Sequence, residues 1–125
     1  MVDAHAHLNW LTWADLEAMY LSGIGQVVSP IMLDAAKPVS PETIVEMWDY
    51  LLEVQLQRAA DHFIRAHAMV CINMASTPAG NPGPILARLP AYLARPNAVA
   101  IGEIGLVSTS GMVETPHLQV SHVGR

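Results

Sequence analysis

A single cysteine, Cys71, excludes an internal disulfide and suits a reducing compartment, so a cytoplasmic setting is expected. Cationic residues are also sparse. Lys37, Arg58, Arg65, Arg88, Arg95 and Arg125 are scattered among eleven acids, giving a net charge of −5. No basic stripe exists to track a phosphate backbone, so nucleic-acid binding by electrostatics alone is not expected. No apolar run approaches the roughly 20 residues of a membrane helix. The start carries no basic segment, and Asp3 and His5 interrupt any apolar stretch there, so no secretory signal is expected. A Walker loop, a dinucleotide fingerprint and a Gly-x-Ser-x-Gly elbow are all missing, which removes phosphate-cradling loops and serine-hydrolase chemistry from consideration.

What is present is apolar and ordered. Hydrophobic residues make up 52% of 125, which argues against disorder and suffices for one compact core. Val2–His7 reads as a strand. Thr12-Trp13-Ala14-Asp15 offers a capping-box variant, opening a helix to about Ser22 with Leu16, Met19 and Tyr20 on its apolar side and Gly23 as its stop. Gln26–Ser29 reads as a second strand. Ser40-Pro41 starts a helix to about Arg65, with Val45, Trp48, Leu52, Leu56, Ala59 and Phe63 at spacings of three and four. A third strand is expected at Ala68–Ile72, a helix from Pro84 with Leu86, Leu89, Tyr92 and Leu93 inward, and a fourth strand at Ala98–Ile104. The order βαβαβαβ predicts an α/β fold with about four parallel strands and three helices outside them.

The chemistry concentrates at Asp3-Ala4-His5-Ala6-His7. On an extended strand His5 and His7 share a face, with Cα atoms roughly 6.6 Å apart. Two imidazoles so placed can converge on one divalent ion. Without a metal, a buried pair would leave four ring nitrogens needing partners, so ligation is the better reading. Asp3 either orients a histidine or bonds neighbouring backbone. Glu103, in Ala100-Ile101-Gly102-Glu103-Ile104-Gly105-Leu106, is the natural third ligand. His7 and Glu103 both fall at carboxyl ends of strands, where α/β sites gather.

Other residues are expected to be structural. His62 reads as mid-helix, His67 as the start of the third strand, and His117 and His122 as a solvated tail. Cys71 reads as a small core residue. Trp10, Trp13 and Trp48 are expected to pack, with Trp10 close enough to line the rim of a metal site.

The run Val2-Asp3-Ala4-His5-Ala6-His7, with Ala100-Ile101-Gly102-Glu103-Ile104-Gly105-Leu106 about a hundred residues on, resembles the TatD-related metal-dependent hydrolases, TIM-barrel members of the amidohydrolase superfamily. Leu89-Pro90-Ala91-Tyr92-Leu93 followed by Asn97-Ala98-Val99-Ala100 is similar to the helix and strand that precede the family's glutamate. The resemblance covers residues 1 to about 106 and implies the amino-terminal half of a TIM-barrel domain, with an irregular tail at 107–125. It implies one or two divalent ions (Zn, Mg or Mn), His5 and His7 binding one and Glu103 bridging two. It also implies water attack on a phosphodiester or other hydrolysable bond, as in the family's deoxyribonucleases. Many relatives carry a histidine in a Gly-x-His-Pro sequence where this chain has Cys71-Ile72-Asn73-Met74-Ala75. The family's remaining ligands, two histidines and a catalytic aspartate, come from later strands. No catalytic acid or base is therefore assigned here.

A TIM barrel takes eight strands and about 250 residues. Four strands leave two parallel edges and one open face. In a flat sheet the first and fourth strands lie roughly 14 Å apart, so barrel curvature must bring His7 to Glu103. A half-barrel alone is expected to bind metal weakly and turn over little substrate. A second copy or another barrel half is the expected partner, and a non-catalytic half-barrel that binds metal or a partner chain is the alternative.

Overall fold

The computed structural model describes residues 1–33, 38–72 and 80–104. Four strands form one parallel sheet in the order β1-β2-β3-β4. They are β1 (Val2–Asp3), β2 (Gln26–Ser29), β3 (Arg65–Met69) and β4 (Ala98–Ala100). Helices connect each strand to the next, as the alternating pattern predicts. Three strands are bounded differently from expectation. β1 ends at Asp3 because the His5 N–H donates to the Asp3 carboxylate (2.9 Å) instead of to a neighbouring strand. β3 starts three residues earlier, at Arg65, whose N–H donates to the Gly25 carbonyl (3.0 Å). β4 stops at Ala100, although the Gly102 N–H still reaches the Val70 carbonyl (3.4 Å).

The first helix, α1 (Trp13–Leu21), follows a single turn of 3-10 helix at Leu8–Trp10. Its capping box is complete. The Asp15 N–H donates to the Thr12 hydroxyl, and the Thr12 N–H and O–H both donate to the Asp15 carboxylate at 2.7 Å. The Thr12 backbone bond, then the hydroxyl bond, hold the Asp15 pKa below its ordinary 3.8. A depressed folded-state pKa stabilises the fold above the unfolded value, and that contribution is lost as pH falls through the folded value. Asp15→Asn should therefore lower the melting temperature at neutral pH. The gap from wild type should close as the solution is taken to the acid side of 3.8. Thermal melts across that range test it; a gap independent of pH would contradict the assignment.

Ser40 caps α2 (Pro41–Tyr50), which runs through a π-helical turn at Leu51–Gln55 into α3 (Leu56–Ala60). The expected long helix thus ends five residues early. His62 lies in the turn after it, and Phe63 adopts a left-handed conformation (φ 60°) with its ring turned out to solvent. The expected third helix is two short ones, α4 (Gly83–Leu86) and α5 (Leu89–Leu93).

The core lies between the helices and one face of the sheet. Val27, Ala66 and Ala68 come from the strands and Val70 from the residue just after β3; Leu16, Ile44, Val45, Trp48, Leu51, Leu56 and Ala59 come from the helices. Ile85, rather than the expected Leu86, is the buried residue of α4. Tyr20 is also largely exposed, against expectation. The α5 end is tied to α2 by charge: the Tyr92 hydroxyl (2.8 Å) and Arg95 (3.1 Å) both donate to Asp49. Burial, then the Asp49 bond, pushes the Tyr92 pKa up to about 12, so the phenol keeps its proton.

The opposite face of the sheet alternates with the buried one and carries Val28, His67 and Met69, with Val99 52% exposed on β4. His67 sits at the middle of β3, level with Val28, not at the strand's start as expected. Its Nδ1 has no hydrogen-bond partner among the described residues.

Candidate metal centre

Two segments deliver the site. His5 and His7 lie on the segment leaving β1, which the Ala6 N–H fastens to the Val28 carbonyl (3.2 Å). His7 leads directly into buried Leu8, whose N–H donates to the buried Ser29 hydroxyl (3.2 Å). Glu103 lies three residues beyond β4, at the far edge of the sheet. Gly102 beside it leaves room for the Met69 side chain; a Cβ there would fall 3.1 Å from the Met69 sulfur and would have to displace it by a few tenths of an ångström.

β1 and β4 are the two edges of the sheet, yet their side chains meet. His5 Nε2 lies 2.6 Å from Glu103 Oε1, His7 Nε2 lies 3.6 Å from it, and the two Nε2 atoms are 3.3 Å apart. A four-strand arc is therefore curled enough to close the gap that a flat sheet would leave. His5 and His7 come together, but not through strand alternation, since β1 has already ended.

The donor set fits a divalent ion. Metal–nitrogen and metal–oxygen bonds of about 2.0–2.1 Å in tetrahedral geometry put ligand atoms roughly 3.3–3.4 Å apart. The His5–His7 and His7–Glu103 separations, 3.3 and 3.6 Å, sit near that figure. The 2.6 Å His5–Glu103 separation is instead that of a short charge-assisted hydrogen bond. Among the described residues, these three are the group of His, Cys, Asp and Glu side chains close enough to hold one ion, with ligand atoms within 4.8 Å of one another.

The surroundings hold His7 more firmly than His5. The side chains are 17% and 50% exposed respectively. The half-exposed Trp10 indole stacks on the His7 ring, centroids 5.0 Å apart and planes 28° apart. Trp10 thus forms a wall of the site, a role its position just behind the motif suggested. His7 Nδ1 is buried without a hydrogen-bond partner among the described residues. Asp3 takes the second of its two expected roles, accepting backbone N–H from His5.

The remaining candidates stay outside. His62 packs its ring against the exposed Trp13 (4.7 Å) and its Nδ1 against the Arg58 carbonyl (3.0 Å). Trp48 is fully buried, as expected. Burial pushes the Cys71 thiol pKa up, which suits a packing residue and not a nucleophile. His117, His122, the 107–125 tail and Asn73-Met74-Ala75 lie outside the described residues.

No family model matches the chain. Over 106 residues it is 34% identical to an uncharacterized metal-dependent hydrolase of Methanocaldococcus jannaschii, a match covering 85% of this chain and 41% of that protein. The crystal structure of a TatD-like protein from Archaeoglobus fulgidus superposes with a TM-score of 0.72 at 28% identity, covering 85% of this chain and 43% of that one. The chain spans about two-fifths of the length of the curated relative it matches. In sequence the chain is similar to a metal-dependent hydrolase, and in fold to a TatD-like protein, over part of each.

Proposed function

We propose that this chain carries the divalent-metal centre of a TatD-type hydrolase, with His5, His7 and Glu103 as ligands. The observation that carries the reading is the meeting of His5 and Glu103 from opposite edges of the sheet. Two imidazoles and one carboxylate favour zinc or manganese over magnesium, which prefers oxygen donors and bound water. Three protein ligands with an open position is also the pattern of catalytic zinc sites. The ion, when bound, supplies Lewis acidity and a water acidified for attack on a phosphodiester or similar bond. The protein's part is to hold the two rings and the carboxylate at one mouth and to wall the site with Trp10. A second ion needs ligands beyond these three, from another chain or another segment. No helix among the described residues is long and apolar enough to cross a membrane, and we place the protein in the reducing cytoplasm on the strength of its lone thiol.

The open sheet face favours a second reading, a half-barrel that binds metal or a partner chain without turnover. One experiment separates them: size-exclusion mass, metal content and hydrolysis of bis(p-nitrophenyl) phosphate on the same preparation. The first reading expects slow manganese- or zinc-dependent turnover, as suits half a barrel, that chelation and Glu103→Gln abolish. Bound metal without turnover supports the second, and a monomer without stoichiometric metal overturns both.

A further inference from the structure

At the opposite end of the sheet from the metal centre, the chain spends backbone strain on an aromatic ring that it does not bury. After α3, the Phe63 N–H donates to the Ala60 carbonyl (2.9 Å) and the Ile64 N–H to the Ala59 carbonyl (3.0 Å), closing the helix. Phe63 takes φ 60° in this cap, a conformation ordinarily left to glycine. Its side chain returns nothing to the core, being 77% exposed. Strain held at an exposed bulky residue points to a role outside packing.

Phe63 has company. Its ring meets that of exposed Tyr20 at 5.5 Å, planes 40° apart, and Leu21 beside it is 76% exposed. These three, with Glu17, Asp61 and His62, line a groove of about 370 Å³ between the ends of α1 and α3. Two carboxylates border two aromatic faces, and no Lys or Arg is among the described lining residues. His62 is already engaged, by Trp13 and by the Arg58 carbonyl. The groove thus combines the apolar surface of Tyr20, Leu21 and Phe63 with two carboxylates.

We propose that this groove docks an arginine-bearing segment of another protein. A guanidinium stacks flat on aromatic faces while its N–H fork pairs with carboxylates, which a compact ammonium does less well. The Tyr20–Phe63 pair supplies the stacking surface, Glu17 and Asp61 the counter-charge, and Leu21 a seat for a neighbouring aliphatic side chain. The proposal is independent of the metal centre, whose ligands lie at the carboxyl ends of the strands.

The test is a titration of the full chain with the peptide acetyl-Leu-Arg-Leu-amide, followed by backbone amide chemical shifts, against the same peptide with citrulline in place of arginine. Citrulline keeps the shape and removes the charge. The arginine peptide should shift residues 17, 20, 21 and 61–63 and the citrulline peptide should not. Phe63→Gly, which relieves the left-handed strain, should raise the melting temperature while weakening binding about tenfold. Glu17→Gln with Asp61→Asn should weaken it while leaving the Tyr20–Phe63 pair intact. No shifts with the arginine peptide, equal shifts with citrulline, or undiminished affinity in Phe63→Gly would each overturn the proposal.

Discussion

His7→Ala is expected to weaken binding of a divalent ion by more than about 100-fold, because losing even a residue that merely orients a ligand costs about 10–100-fold. The His7 side chain is the better buried of the two imidazoles, at 17% exposure, and is clamped by the Trp10 ring. Its loss removes a donor 3.3 Å from His5 Nε2 and 3.6 Å from Glu103 Oε1, leaving one nitrogen and one carboxylate. His5→Ala should have a smaller effect, since His5 is half exposed and less rigidly held. The fold should survive His7→Ala: the neighbouring anchors, the Leu8 N–H on Ser29 and the Ala6 N–H on Val28, are backbone donors that the substitution leaves in place. Isothermal titration with zinc, alongside thermal melts, separates lost ligation from lost fold. Wild-type affinity in His7→Ala would refute the ligand assignment.

Trp48→Ala should cost about 3–5 kcal/mol, the usual range for an aromatic truncated in a core. That is a large share of the roughly 5–15 kcal/mol that holds a domain together. Trp48 is fully buried and joins three elements. It stands on α2, meets the α5 ring of Tyr92 edge to face at 5.0 Å, and donates its indole N–H to the Cys71 carbonyl (2.9 Å) beyond β3. Trp48→Phe fills most of the space but leaves that carbonyl without its donor, and should cost about 1–3 kcal/mol. The effect should also reach the candidate metal centre. Cys71 follows Val70, whose backbone pairs with Ala100 and Gly102 and so sets the height of Glu103. Urea unfolding measures the stability loss, and zinc titration of the folded Trp48→Phe variant measures the second effect. A loss below about 1 kcal/mol in Trp48→Ala would contradict the packing described here.

The order of elements was legible because each helix carries its apolar residues on one face and each strand sits between turn residues. Their ends were less so. Strand β1 ends where a side chain, Asp3, takes the N–H that a ladder would use, a competition that periodicity does not register. The long helix stops before Phe63 although the three-and-four spacing runs on, because backbone capping at Ala59 and Ala60 overrides the pattern. Ile85 and Leu86 exchange roles because the expected helix is broken at Ala87–Arg88, before Pro90, into two short pieces. The candidate site was readable as residue types: two alternating histidines and a glutamate framed by glycines. Their meeting was not, since it depends on the curl of a sheet whose edges they occupy. The stacking of Trp10 on His7 could be located in sequence only as nearness to the motif.

The central claim is that His5, His7 and Glu103 form one divalent-metal site. Metal content per chain, measured by elemental analysis at equilibrium in dialysis against zinc, tests it most directly. The account predicts at least one ion per wild-type chain and near-zero retention in His7→Ala with Glu103→Gln. Equal metal content in the two proteins, whether none or one, would contradict it.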